Sequence, residues 1–89
     1  MVKRYLVYLH NDAKKILQKI PRHIAVRIDD VISELELNPL LGIKMHGEIS
    51  HLRKIKISNY RMIYQVYDSK LVIVILEIES RGNVFYDRS

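Results

Sequence analysis

Eighty-nine residues with 48% hydrophobic content allow one domain with one modest core, near the lower limit for folding without a disulfide or metal. The absence of cysteine excludes a disulfide framework, a thiol nucleophile and a cysteine-based zinc site, and fits a reducing compartment. The net charge of +5 is unevenly placed: residues 44–61 hold Lys44, Arg53, Lys54, Lys56 and Arg61 against one acid, Glu48, so a polyanionic partner is expected, although a basic surface can also simply keep a small domain in solution.

The N-terminal MVKRYLVYLHND lacks the apolar stretch and small-residue cleavage site of a signal peptide. The longest apolar run, LVIVIL at 71–76, is far too short to cross a bilayer. The expectation is a soluble cytoplasmic domain spanning residues 1–89, with no membrane partner.

VKRYLVYL (2–9) is rich in β-branched and aromatic residues and reads as a strand. Asn11 reads as an N-cap, and Ala13, Ile16, Leu17 and Ile20 follow at helical spacing. Pro21 ends that helix and opens a second. There Ile24, Ile28, Val31, Ile32 and Leu35 form one stripe, a pattern that most often means core packing. Asn38-Pro39 stops it, because the residue before proline is pushed out of the helical region.

A loop with Gly42 and Gly47 leads to three strands at about 51–57, 60–67 and 71–79. The turns Ser58-Asn59 and Asp68-Ser69-Lys70 are short enough to force antiparallel hairpins. LVIVILEI is apolar on both faces and reads as the central strand. The order is β-α-α-β-β-β. This is an α+β fold: an antiparallel sheet whose meander is joined at its edge by the first strand, with the helical hairpin packed on one face.

Strand alternation sets Leu52, Lys54 and Lys56 on one face and Arg53, Ile55 and Ile57 on the other, toward the helices. Arg61, across the short turn, reaches the open face. Arg81 follows the last strand and Tyr86 lies in the tail. Four cations gathered without an opposite charge repel one another, so unless Asp87 of the tail folds back, an anion such as a phosphate is expected to offset them. Lysine on a half-exposed sheet is also an ordinary solvated residue that blunts edge pairing.

At these residues the chain resembles the RelE toxin family within the RelE/ParE superfamily. NPLLGIKMHGE…LRKIKISNYRMIYQVYDSKLVIVILEIESRGNVFY is similar to that family's succession of motifs. These are N-P, a K-x-x-G loop, a K-I-K strand, a Y-R-aliphatic-aliphatic-Y strand, a D-x-K turn, an apolar strand, then a closing Arg with a tail Tyr. LHNDAKKILQKIPRHIAVRIDDVISELE resembles its helical hairpin, so the likeness covers nearly the whole chain. It implies a RelE-like fold and cleavage of messenger RNA in the ribosomal A site. In that reaction the ribose 2′-OH attacks the adjacent phosphorus, leaving a 2′,3′-cyclic phosphate and a free 5′-OH. The family's K-I-K lysines match Lys54 and Lys56, its Y-R arginine Arg61, its closing arginine Arg81 and its tail tyrosine Tyr86. The gyrase-inhibiting ParE branch usually lacks this full set. The turn before Tyr60 and the stretch from Arg81 to Tyr86 are shorter here than in the family.

That chemistry needs a base for the 2′-OH, charge stabilisation on a pentavalent phosphorane and a proton for the leaving 5′-oxygen. Arg61 and Arg81 suit the second need, through several donors aimed at phosphoryl oxygens. An ammonium crowded by other cations gives up its proton more readily, so Lys54 is a candidate base or acid, and Tyr86 a candidate base. Lys56, Arg53 and Lys44 are expected to bind substrate. No metal or other cofactor is called for.

His46 and His51, five apart, are a weaker candidate acid–base pair, and His10 and His23 read as helix-end or surface residues. Tyr60 and Tyr64 share one strand face and Tyr67 shares the other with Arg61; one of them could stack on a base. Glu77 and Glu79 share a strand face and read as partners of Arg81 or as an exposed edge rather than as catalysts.

The resemblance also implies a RelB-like antitoxin, the ribosome with its message, and operator DNA reached only indirectly through the antitoxin complex. Two other readings remain: a ParE-like toxin that binds gyrase and cleaves nothing, and a noncatalytic subunit of a repressor complex.

Overall fold

The computed structural model describes residues 3–80. Its elements are β1 (Leu6–Leu9), α1 (Asn11–Leu17), α2 (Arg22–Leu37), β2 (Ile43–Lys44), β3 (Leu52–Ile57), β4 (Tyr60–Tyr67) and β5 (Val72–Ser80), with short 3-10 turns at Gly47–Ile49 and Asp68–Lys70. The five strands form one sheet in the order β1-β5-β4-β3-β2. Two helices over a sheet give the expected α+β architecture.

The α2 stripe does what its period implies. Ile24, Ile28 and Leu35 are buried, and Val31 and Ile32 pack beside them. With Ala13 and Ile20 they close over Ile57, Met62, Tyr64, Ile73, Ile75 and Ile78 on one face of the sheet. Asn38 caps α2 at its C-terminus through its backbone N–H, which donates to the Glu34 carbonyl at 2.8 Å.

Several boundaries and pairings differ from the sequence reading. The sheet is mixed rather than antiparallel throughout, because β1 lies parallel to β5, with Leu6 opposite Val72 and Leu9 opposite Ile75. The first strand is also shorter than expected: the Tyr5 N–H donates to the Glu36 carbonyl at 2.8 Å, so the chain is tied to α2 until Leu6. Helix α1 is capped by His10, whose Nδ1 accepts from the Asp12 N–H, one residue before the expected Asn11. Strand β5 is interior but not central; β4 holds the middle place.

The apolarity of β5 on both faces has a specific cause. Pairing runs regularly from Tyr67↔Val72 to Tyr64↔Ile75, then resumes at Ile63↔Glu77, so Leu76 is an extra residue in a β-bulge. The bulge reverses the alternation. Ile78 therefore faces the helices with Ile73 and Ile75, and Glu77 and Glu79 are carried to the opposite face.

Residues 43–44 form a strand where a loop was expected. Gly42 allows it: a Cβ there would stand 2.8 Å from the Lys54 carbonyl, 2.8 Å from the Tyr64 ring and 2.9 Å from Ile55. Ser58 takes a φ of 57°, the positive value that the first central position of a two-residue hairpin turn requires.

Candidate active site

In an antiparallel ladder, directly opposed residues share a face, so the register fixes which cations meet. On the face away from the helices, Lys56, Arg61 and Glu79 form one row across β3, β4 and β5. Lys54, Ile63 and Glu77 form the next, about 6.8 Å along the strands. Lys54, Lys56 and Arg61 are thus brought together as the alternation implied. Arg81 and Tyr86 lie outside the described residues.

Arg53 and Lys44 are not part of this group. They pair with each other, and Arg53 also stands opposite Tyr64, on the side that faces the helices. The Arg53 guanidinium donates to the Gly42 carbonyl at 2.7 Å. Tyr64, fully buried, accepts from the Gly42 N–H and donates to the Pro39 carbonyl, each at 2.8 Å. Together they bind the 39–42 loop to the sheet. Burial pushes the Tyr64 phenol above its usual value, against the opposing pull of the Gly42 hydrogen bond and the Arg53 charge.

The expectation of cations without a counter-charge is corrected by the bulge. Arg61 Nε and Nη2 both donate to Glu79 Oε1, at 3.1 and 2.6 Å. Burial raises the Glu79 carboxyl, but hydrogen bonds from Arg61 and Glu77 and the Arg61 charge outweigh it and hold the group below the usual range. Glu77 is held above that range by its hydrogen bond to Glu79, then by burial and by the charges of Glu79 and Asp12, with Arg61 opposing. Sequence reasoning set these two acids aside. Their tie to Arg61 depends on a bulge that no local motif announces.

Of the β4 tyrosines, Tyr64 belongs to the core and Tyr60 packs against it. Tyr67 is the exposed one, on the open face, its hydroxyl donating to Gln65 Oε1 at 3.1 Å. His46 and His51 lie exposed around the Gly47–Ile49 turn, and His23 is exposed in the first turn of α2.

The face can therefore bind an anion through two lysines and an arginine, with the Glu79 carboxylate already on that arginine and Glu77 in the neighbouring row. Fold and face together define a small α+β protein with lysines, an arginine and two carboxyls gathered on the open face of its sheet.

Comparison with known proteins narrows this. The family described as the ParE toxin of the type II toxin-antitoxin system parDE matches over residues 7–85. Toxin RelG of Mycobacterium tuberculosis is 25% identical over 83 residues, covering 91% of this chain and 95% of that protein. Among solved structures, the archaeal RelE–RelB complex of Pyrococcus horikoshii contains a chain 30% identical, with a TM-score of 0.77, over 90% of this chain and 98% of that one. The RelBE2 toxin-antitoxin complex of M. tuberculosis contains one 25% identical, with a TM-score of 0.79, over 88% and 99%. This chain belongs to the ParE toxin family and is a type II toxin of the RelE/ParE superfamily.

Proposed function

We propose that this toxin is a ribosome-dependent endoribonuclease that cuts messenger RNA in the A site by 2′-OH attack on the adjacent phosphate. The observation that carries the reading is the trio Lys54, Lys56 and Arg61 on one face of adjacent strands, opposite the face that packs on the helices. A phosphodiester lying over them meets the Arg61 fork and two ammonium groups. Arg61 stabilises the charge that develops on the phosphorane, where donors held in place lower the barrier without reorganising. Lys56 holds the backbone. Lys54 exchanges a proton with the 2′-OH or the 5′-oxygen. By the RelE resemblance, Arg81 adds a second guanidinium and Tyr86 a base. Arg53 and Lys44 take no part, since they stand on the other side of the sheet.

The toxin then acts in the cytoplasm, and a RelB-like antitoxin covers its basic face. Operator DNA is met only through that complex.

Primer extension on programmed ribosomes with an empty A site tests the reading. Wild type produces stops inside the A-site codon, and Arg61→Ala with Lys54→Ala loses them while staying folded. Absence of stops from folded wild type refutes it.

A second reading has two observations in its favour: the family carries the ParE name, and Arg61 is already paired with Glu79. In that case the chain binds gyrase and cleaves nothing. Inhibition of gyrase supercoiling without cleavage of message identifies it.

A further inference from the structure

Arg61 already holds an anion. Its Nε and Nη2 close on one oxygen of Glu79, and the two side chains remain 35% and 30% exposed. That edge of the guanidinium is one with which arginine grips phosphate in paired hydrogen bonds. An ion pair this exposed adds little to stability, so the fold does not depend on it. It does occupy the donors that the phosphate site would use.

Glu79 also has somewhere to go. Glu77 stands two residues along on the same face, opposite Ile63 as Glu79 is opposite Arg61, and the two acids shift each other's titration. Among the described residues, the charged groups facing this acid pair are Arg61 from β4, Lys54 and Lys56 from β3, and Asp12 of α1, with the His10 Nδ1 3.8 Å from the Asp12 carboxylate.

We propose that Glu79 is an exchangeable counter-anion: a phosphodiester entering the row takes over the Nε–Nη2 edge of Arg61, and the displaced carboxylate turns to Glu77. The proposal rests on the reading of this face as a phosphate site and gives a role to a residue which that reading leaves unused. In the free toxin Glu79 keeps Arg61 docked across the sheet and competes with weak anions. When the phosphate displaces it, two carboxylates stand together without their guanidinium, and such a pair holds one proton between them more tightly. Binding therefore takes up part of a proton from solvent, and no covalent bond changes.

The test is fluorescence anisotropy with a labelled, uncleavable 2′-O-methyl oligoribonucleotide. It compares wild type, Glu79→Gln, Arg61→Ala, the double variant, and Asp30→Asn, which alters net charge equally on the helical side. Melting curves verify that each is folded. Glu79→Gln keeps the shape and removes the charge. It binds about fivefold tighter at pH 7, the gain expected from releasing a competing pair of this exposure. The gain vanishes in the Arg61→Ala background, because without Arg61 there is nothing to compete for. As pH falls from 7 to 5 the wild type closes on Glu79→Gln, since protons assist the exchange; comparing the two cancels the histidines common to both.

An equal gain in Asp30→Asn, or a gain that survives without Arg61, is a net-charge effect and overturns the proposal. Unchanged or weaker binding by Glu79→Gln, with Arg61→Ala still weakened, overturns the exchange and leaves the phosphate site standing. No binding by either wild type or Glu79→Gln, or no loss in Arg61→Ala, overturns the phosphate site and the exchange with it.

Discussion

Tyr64→Phe removes one oxygen from a fully buried side chain and leaves the ring in place, so no apolar area is lost and no cavity opens. What it does remove is the bond from the Gly42 N–H and the bond to the Pro39 carbonyl, both at 2.8 Å. Each such bond contributes about 1 kcal/mol net, and a buried group left without a partner costs about as much again or more, so the loss should be at least about 2 kcal/mol. For a domain of this size that lowers Tm by roughly 10 °C. The damage should be local as well as global, because of the side-chain bonds on the 39–42 loop only that from Arg53 to the Gly42 carbonyl is then left among the described residues. Urea denaturation gives the stability, and hydrogen exchange at the Gly42 amide gives the locality, with protection falling at least about tenfold for the loss of a bond of this strength. RNA binding should be nearly unchanged, since Tyr64 faces away from Lys54, Lys56 and Arg61. A loss under about 0.5 kcal/mol with Gly42 protection intact would refute the claim that Tyr64 anchors the loop, since it falls below the net contribution of even one such bond.

Gly42→Ala drives a methyl against the Lys54 carbonyl, which cannot yield as a flexible side chain would. It should cost about 1–3 kcal/mol by overpacking, read from denaturant midpoints, and a neutral result would contradict the close approach. Ile28→Ala, at a fully buried position facing the sheet, should cost about 2–5 kcal/mol in the same measurement. Side-chain carboxyl NMR should show Glu77 titrating above the usual glutamate range and Glu79 below it. By linkage, the lowered Glu79 adds stability above its unfolded value that is lost as pH falls through its folded value. The raised Glu77 adds stability at low pH that is lost as pH rises through its own. Their contributions therefore oppose one another through the carboxylate range, and Glu79→Gln should move the Glu77 titration back toward the usual value.

Patterns with a local cause were legible in the sequence. The α2 stripe is set by a 3.6-residue period and the β3–β4 hairpin by a two-residue turn, so the shared face of Lys54, Lys56 and Arg61 followed from alternation alone. Features set by distant pairing were not. Parallel pairing of Leu6 with Val72 leaves no mark near either residue. The extra Leu76 reads as one more apolar residue in an apolar run; were it paired in regular register, Arg61 would face Ile78, and the two glutamates would point toward the helices. Alternation turns Arg53 toward the helices, but that it ties down the 39–42 loop instead of binding substrate is hidden, because its partner is the backbone of Gly42, which carries no side chain to suggest it. The burial of Ile73, Ile75 and Ile78 together was the available sign of a phase change, visible only once the helix-facing side of β5 was known.

The most direct test of the nuclease reading is single-turnover cleavage of message on ribosomes with an empty A site. One message carries ribose throughout; the other carries a single 2′-deoxyribose on the 5′ side of the cut. The first should be cut to a 2′,3′-cyclic phosphate, and the second, bound equally well, should stay intact. Equal cutting of both would contradict attack by the 2′-OH, and cutting of neither by folded toxin would contradict the nuclease itself.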